Sequence, residues 1–301
     1  MDKAFSEQLS AEISRMIAEQ APYIDYTPGE AAAFVMGMTE EERRRYADRG
    51  WLVDDPETFY VMKRFAEAVG LDKPEFDDYT RVLFQNARRY TPRDFAEEPY
   101  LKAVRFEPQR IGRFTLGRAT YSRGELFQYN MPDVNAPLTV PRLGFCTGEV
   151  SFPAVYEGNM PWMSVCPSEI NSMKKQMRQA HGRVLVLGLG LGYYPFAVSQ
   201  KDNVESIDII ELSDEVIQLF NEQLLPHFPN KEKIRVIKAD AFAYLENLQG
   251  GEYDFCFADI WEGAEDGAAC YARLRPLAAR LPSTEFTYWI EDVLRWYLLQ
   301  G

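Results

Sequence analysis

The sequence predicts an α/β protein in which a parallel sheet with helical crossovers fills the last third, preceded by a β-hairpin segment and an N-terminal helical region. Three observations carry this. Apolar residues recur at three- and four-residue spacing up to about residue 103, the period falls to two between 104 and 166, and short β-rich runs then alternate with helical stretches to the end. The expected regions are therefore a helical domain over 1–103, a β-rich segment over 104–166 and an α/β domain over 167–301.

In the first region "SEQLSAEISRMIAEQ", "TPGEAAAFVMGMTEEERRRYADRG" and "DPETFYVMKRFAEAVG" each begin at Ser, Thr-Pro or Asp-Pro, the residues that start helices. In the second, "RFTLGRATYSRGELFQYN" alternates about residues 122–124, which predicts a hairpin turn, and "RLGFCTG" with "SFPAVYEG" predicts a second pair of strands. "CPSEINSMKKQMRQA" then places Pro167 and Glu169 in the first turn of a helix. The runs "RVLVLGLG", "VESIDIIEL", "KIRVIKAD" and "YDFCFADI" predict four parallel strands, spaced by helical stretches such as "SDEVIQLFNEQLLPHF" and "AFAYLENLQ". "TEFTYWIED" supplies a fifth, and with room for one strand after Asp259 the sheet is expected to be C-terminally shortened. Ligands of such sheets sit beyond the carboxyl ends of the strands.

Composition narrows the ligand. With 301 residues, 46% of them hydrophobic and 26% charged, the chain can bury a sizeable core in roughly two domains. Its net charge of -13 opposes phosphate backbones, so no nucleic-acid partner is expected, whereas a small cationic molecule suits that field. The start "MDKAFSEQLSAEISRM" lacks the basic flank and apolar run of a signal peptide, which predicts a cytoplasmic protein. The longest uncharged stretch, 184–200, carries three glycines and a proline and is short of the roughly 20 apolar residues a membrane helix needs, so no membrane span is expected. Cys146, Cys166, Cys256 and Cys270 show no C-x-x-C pairing and, with His181 and His227, no zinc spacing; reduced thiols and no metal are expected. Association into a homo-oligomer is left open.

The most informative stretch is "VLVLGLGLGYYPF", a strand running into Gly188, Gly190 and Gly192. Glycines there let the backbone turn sharply and approach a ligand while the free N–H groups of the next helix face it; a plain structural turn is the alternative. The dinucleotide fingerprint G-x-G-x-x-G fails in both registers, its sixth position being Tyr193 or Pro195, so an NAD-type ligand is disfavoured. Carboxylates end the next three strands. Glu211 is placed to accept ribose hydroxyls, or else to cap a helix; Asp240 is placed to meet an adenine amino group, or to cap the helix beginning at Ala241; Asp259 stands at the mouth of the sheet.

The G-x-G-x-G of 188–192 resembles the first motif of class I S-adenosylmethionine-dependent methyltransferases. Read together, "VLVLGLGLG", "DIIELSDEVIQLF", "KADAFAYLENL" and "YDFCFADIWE" resemble the spermidine synthase branch of that superfamily, over about 165–265. The resemblance implies a Rossmann-like fold and S-adenosylmethionine as cofactor, held by Gly188, Gly190, Gly192, Tyr193, Glu211, Asp240 and Ala241. It implies Asp259 and Glu262, in register with the branch's D-S-S-D, as catalytic acids, with Glu169 and Trp261 in the acceptor pocket unless they merely cap and pack. Leu191 departs from the pattern, standing where spermidine synthases carry the aspartate that holds the amine of decarboxylated S-adenosylmethionine. So does Val186, where many methyltransferases carry an acid, and "GAEDG" replaces the branch's proline-glycine motif. Methyl transfer to a small acceptor is therefore the implied activity, with polyamine aminopropyl transfer and a non-catalytic nucleoside-binding module as alternatives. The helical region lies outside the resemblance.

Overall fold

The computed structural model describes residues 1–300. The chain runs through helices α1 (Lys3–Gln20), α2 (Pro28–Gly37), α3 (Glu40–Asp48), α4 (Pro56–Ala68) and α5 (Asp77–Asn86), strand β1 (Arg88–Tyr90), and short helices α6 (Pro92–Glu97) and α7 (Pro99–Ala103). Six strands follow: β2 (Gln109–Ile111), β3 (Phe114–Tyr121), β4 (Leu126–Asn130), β5 (Arg142–Cys146), β6 (Val150–Glu157) and β7 (Met160–Ser164). Helices α8 (Pro167–Ser172) and α9 (Lys174–Gln179) then lead into β8 (Gly182–Leu187), α10 (Tyr193–Ser199), β9 (Val204–Glu211), α11 (Asp214–Leu219), β10 (Ile234–Lys238) and α12 (Ala241–Asn247). The last elements are β11 (Phe255–Ala258), α13 (Ala264–Ala279), β12 (Glu285–Tyr288) and α14 (Glu291–Gln300). They form two compact units, one of residues 1–96 and 120–151, the other of 97–119 with 152 onward.

The first unit is mainly helical. Thr39 accepts from the Glu42 backbone N–H while the Glu42 carboxylate accepts from that of Thr39 at 2.9 Å, a reciprocal cap that starts a new helix and splits the single helical stretch expected over 27–50 into α2 and α3. Trp51, Phe59, Phe65, Tyr79 and Phe84 fill its core, with the Trp51 and Phe84 rings stacked at 4.8 Å. One strand interrupts the helical region: β1 pairs in parallel with β5 in a sheet of order β1-β5-β4. At three residues β1 is too short to show an alternation of its own; β5 supplies the edge that defines it.

Neither strand pair expected in the β-rich segment is a hairpin. β3 lies in a sheet of order β2-β3-β6-β7, whereas β4 and β5 pair antiparallel with each other, so the turn at 122–124 and the one after β5 both carry the chain from one sheet to the other. The reason is visible at Gly124, in the left-handed region at φ +73°. Its N–H donates to the Cys146 carbonyl at 2.7 Å and its carbonyl accepts from Ile24 N–H at 2.9 Å, so the turn bonds sideways rather than across a hairpin. The segment 104–166 is accordingly shared, its middle part 120–151 packing with the helices and its ends belonging to the second unit.

The second unit is built on a five-stranded parallel sheet of order β10-β9-β8-β11-β12. In chain order these are the third, second, first, fourth and fifth strands of the domain, so the direction of winding reverses beside β8, where such sheets open a crevice for ligands. Val184, Leu185, Val186 and Leu187 are all buried, as expected of a central strand covered on both faces. At the opposite end the Asp254 carboxylate accepts from the Arg183 backbone N–H at 2.8 Å and from its guanidinium at 3.0 Å, which ties β11 to β8 and lowers the Asp254 carboxyl to about 2. The fifth strand, β12, is where the sequence placed it. No helix among the described residues is long and apolar enough to cross a membrane, and all four cysteines are free thiols, three buried and Cys270 half-buried.

Candidate active site

The three loop glycines lie in the left-handed region, with φ +95° at Gly188, +56° at Gly190 and +74° at Gly192, and they meet different surroundings. A Cβ on Gly188 would overlap the carbonyl oxygen of Asp259, and one on Gly192 would overlap the Phe220 ring. A Cβ on Gly190 would find only the Met163 sulfur, 3.7 Å away. The outer glycines therefore let β8 close on the end of β11 and let α10 seat on its neighbours. Gly190 alone turns bare backbone toward open space.

That space is a cavity of about 710 Å³ at the carboxyl ends of the strands, within the range of small-molecule sites. Gly188, Gly190, Tyr193, Glu211, Asp240, Ala241, Asp259, Trp261, Glu262 and Glu169 all line it. Gly192 does not, because its one open side is taken by Phe220 and Phe228.

Glu211 ends β9 and braces the loop opposite. One carboxylate oxygen accepts from Leu189 N–H at 3.1 Å, the other from the N–H groups of Leu212 and Ser213, both at 2.8 Å. Asp240 Oδ1 caps α12 by accepting from Ala243 N–H at 2.9 Å, and the exposed side chain stands at the cavity rim. Tyr193, the first residue of α10, donates its hydroxyl to Glu98 Oε1 at 3.0 Å.

Asp259 emerges from β11 and Glu169 from the first turn of α8, and both face the cavity. Among the described residues neither carboxylate has an ion-pair partner or a side-chain hydrogen bond. Burial pushes the Glu169 carboxyl up to about 7; burial, then the charge of Glu169, pushes Asp259 well above the usual range. The pair thus retains a proton near neutrality, and an entering cation would favour its release. Glu262 is exposed and accepts from Trp162 Nε1 at 3.3 Å; Trp162 itself stacks on Phe114 with ring centroids 4.3 Å apart. Trp261 lines the cavity and packs so closely on α13 that a Cβ on Gly267 would lie 2.7 Å from its ring.

The cavity also takes residues that sequence reasoning missed. Leu212 and Phe242 sit one residue past Glu211 and Ala241, and Trp289 directly follows β12, so their places at strand ends were legible signals. Met163, from β7, carried none. Leu191 is 4% exposed and packs in the core.

A parallel sheet of this order, with a glycine loop after its first strand and carboxylates after the second, third and fourth, is a Rossmann-like arrangement suited to a nucleoside ligand. Residues 167–272 match the spermine/spermidine synthase domain. Similar proteins include putrescine N-methyltransferase 1 of Nicotiana tabacum, 30% identical over 80 residues that make up 26% of this chain and 21% of that one. Putrescine N-methyltransferase 1 of Nicotiana attenuata is also 30% identical over 80 residues, 26% of this chain and 20% of that one. The match thus spans about a fifth of the length of these curated relatives. Among solved structures, spermidine synthase from Thermotoga maritima is 17% identical with a TM-score of 0.28, covering 40% of this chain and 49% of that one.

Proposed function

We propose that the protein is an S-adenosylmethionine-dependent methyltransferase acting on an amine nitrogen of a small, polyamine-like cation. The observation that carries this reading is the pair Asp259 and Glu169, two carboxylates without a basic partner in the cavity onto which the bare backbone of Gly190 opens. The synthase-type domain and the putrescine-methylating activity named for its relatives agree with it in class.

The residues present fit the cofactor. Gly190 leaves room for its amino acid end, Glu211 Oε2 keeps one lone pair for a ribose hydroxyl while Oε1 is fully used by the backbone, Asp240 Oδ2 is open to adenine, and Leu212 and Phe242 offer apolar faces to the base. When bound, S-adenosylmethionine supplies an electrophilic methyl carbon whose bond to sulfur breaks as the bond to nitrogen forms. The chain's own task is mostly positioning. An amine arrives as an ammonium, so one proton must leave before its lone pair can attack, and Asp259 is the acceptor at hand. Glu169 holds the remaining positive charge of the acceptor, while Trp162 and Glu262 close that side of the cavity.

Aminopropyl transfer is the second reading, favoured by the register of Asp259 and Glu262 with the branch's catalytic acids. Leu191 weighs against it, because an ammonium buried against leucine loses hydration without gaining a partner. Incubating the protein with S-adenosylmethionine or its decarboxylated form and a panel of diamines, then weighing the spent nucleoside, separates the readings. S-adenosylhomocysteine with a methylated amine is expected. Methylthioadenosine with a lengthened amine would replace methyl by aminopropyl transfer, and nucleoside binding without turnover on any amine would leave a non-catalytic module. Asp259→Asn is expected to lower kcat by about a hundredfold or more while sparing nucleoside affinity.

A further inference from the structure

Within the second unit, the segment 97–119 precedes the matched domain in the chain and touches the glycine loop at two points. We propose that Tyr100 and Glu98 of this segment are positioning residues that hold the exit of the glycine loop in the shape that receives the amino acid end of the cofactor. The proposal rests on the reading that this loop binds S-adenosylmethionine.

The need for a brace follows from the sequence of the loop itself. At the start of a helix a carbonyl accepts from the N–H four residues on, and for Leu191 that residue is Pro195, which has none. The Leu191 carbonyl is therefore left without its helical donor between two glycines of left-handed conformation. Tyr100 fills the vacancy: its hydroxyl donates to Leu191 O at 2.5 Å. The ring is fully buried and lies 5.2 Å from Phe196, 5.6 Å from Tyr193 and 6.1 Å from Phe228, which leaves the hydroxyl no room to swing away.

The second contact lies on the other side of Gly192. Glu98 accepts from the Tyr193 hydroxyl with Oε1 and from Leu101 N–H at 3.1 Å with Oε2, so the carboxylate that caps α7 also fixes an aromatic wall of the cavity. Residues 191 and 193 are thus each tied to the same short helix, and Gly192 is held from both flanks. The opposite end of the cavity has its own ties, because Glu211 and Asp240 are held by backbone N–H groups of 189, 212, 213 and 243, and of these only Leu189, at the entry of the loop, belongs to it. A ligand's two ends should therefore report separately on the two sets of residues.

The test uses the full chain and two ligands, S-adenosylhomocysteine and 5′-methylthioadenosine, which share the nucleoside but differ in the amino acid end. Tyr100→Phe keeps the ring and removes one hydroxyl. It is expected to weaken S-adenosylhomocysteine by about tenfold and methylthioadenosine by about twofold or less. Glu98→Ala should act alike, and Glu98→Gln, whose amide oxygen can still accept from Tyr193 while its NH2 gives up the cap on Leu101, should recover part of the loss. Tyr79→Phe, at a buried tyrosine of the first unit whose hydroxyl faces Ser10 and not the glycine loop, should change neither affinity. Equal weakening of both ligands by Tyr100→Phe and Glu98→Ala would mean the contacts merely stabilise the fold, and no weakening of either would remove them from the site; both outcomes overturn the proposal. If Tyr100→Phe does not fold, the Glu98 pair decides alone. Should the wild-type chain bind neither ligand, the cofactor reading falls and this proposal with it, an outcome distinct from a wild type that binds and variants that bind as well.

Discussion

Glu211 spends both carboxylate oxygens on three backbone N–H groups, so its removal should disturb the loop as well as any ribose contact. Glu211→Ala is expected to weaken S-adenosylhomocysteine binding by roughly 1.5 to 3 kcal/mol, read by titration calorimetry. Glu169 gives a pH prediction whose sign can be worked out. Its carboxyl rises from 4.5 to about 7 on folding, so between those values the folded chain keeps a proton that the unfolded chain has lost. Stability of the ligand-free protein therefore falls as pH rises through that window. Glu169→Gln should raise the unfolding temperature at pH 8 and leave it nearly unchanged at pH 4.5, and the affinity of the wild type for a diamine should strengthen from pH 6 to pH 8 as the pair gives up its proton. An unfolding temperature that the substitution moves equally at both pH values would show that burial of this group carries no linkage.

At the scale of an element, the glycine loop shows what a motif hides. Its three glycines look alike in sequence, since the atoms that crowd two of them come from β11 and from the helical turn after α11, distant in the chain. Gly190→Ala meets open space and carries only the penalty of a left-handed alanine, about 1 kcal/mol, so it should fold and yet lose cofactor. Gly188→Ala and Gly192→Ala should instead lower the unfolding temperature sharply or abolish folding, because backbone or a packed ring must move. Thermal melts and ligand titration of the three variants check this contrast. Helix starts were legible where the capping residue stands before a proline, as at Thr27 and Asp55, whereas the cap at Thr39 lay hidden inside one continuous helical pattern; strand partners were not legible, because Gly124 turns the chain toward Cys146 and Ile24, neither of which a local alternation can signal.

For the whole molecule, the alternation of strand and helix in the last third was enough to predict the parallel sheet, and carboxylates at successive strand ends were enough to predict the cavity wall. The braces Glu98 and Tyr100 were invisible, since nothing in "EEPYLKAV" distinguishes them from an ordinary capped helix. A cut placed at the change of period would consequently miss them: a fragment of residues 104–301 is expected to bind S-adenosylhomocysteine at least about tenfold more weakly than the full chain, lacking the tie to Leu191. The net charge of -13 also predicts no salt-sensitive binding of duplex DNA or transfer RNA in a mobility-shift experiment at physiological salt.

The second unit is assembled from two stretches separated by residues 120–151, and this has a consequence on the ribosome. Tyr100, Val104, Ile111, Phe114 and Leu116 all bury themselves in a core whose other members begin at Val155. At roughly 5–20 residues per second, on the order of ten seconds pass between the emergence of that greasy strip and the last strand it must meet. Once residues 120–151 have also emerged, the first unit is complete and can fold, while the strip between its two stretches still waits for the strands of its own core. Chaperone demand during synthesis should therefore concentrate on these few residues, and slowing translation after residue 119 should aggravate misfolding of this protein where it would relieve misfolding in one whose domains follow one another in order.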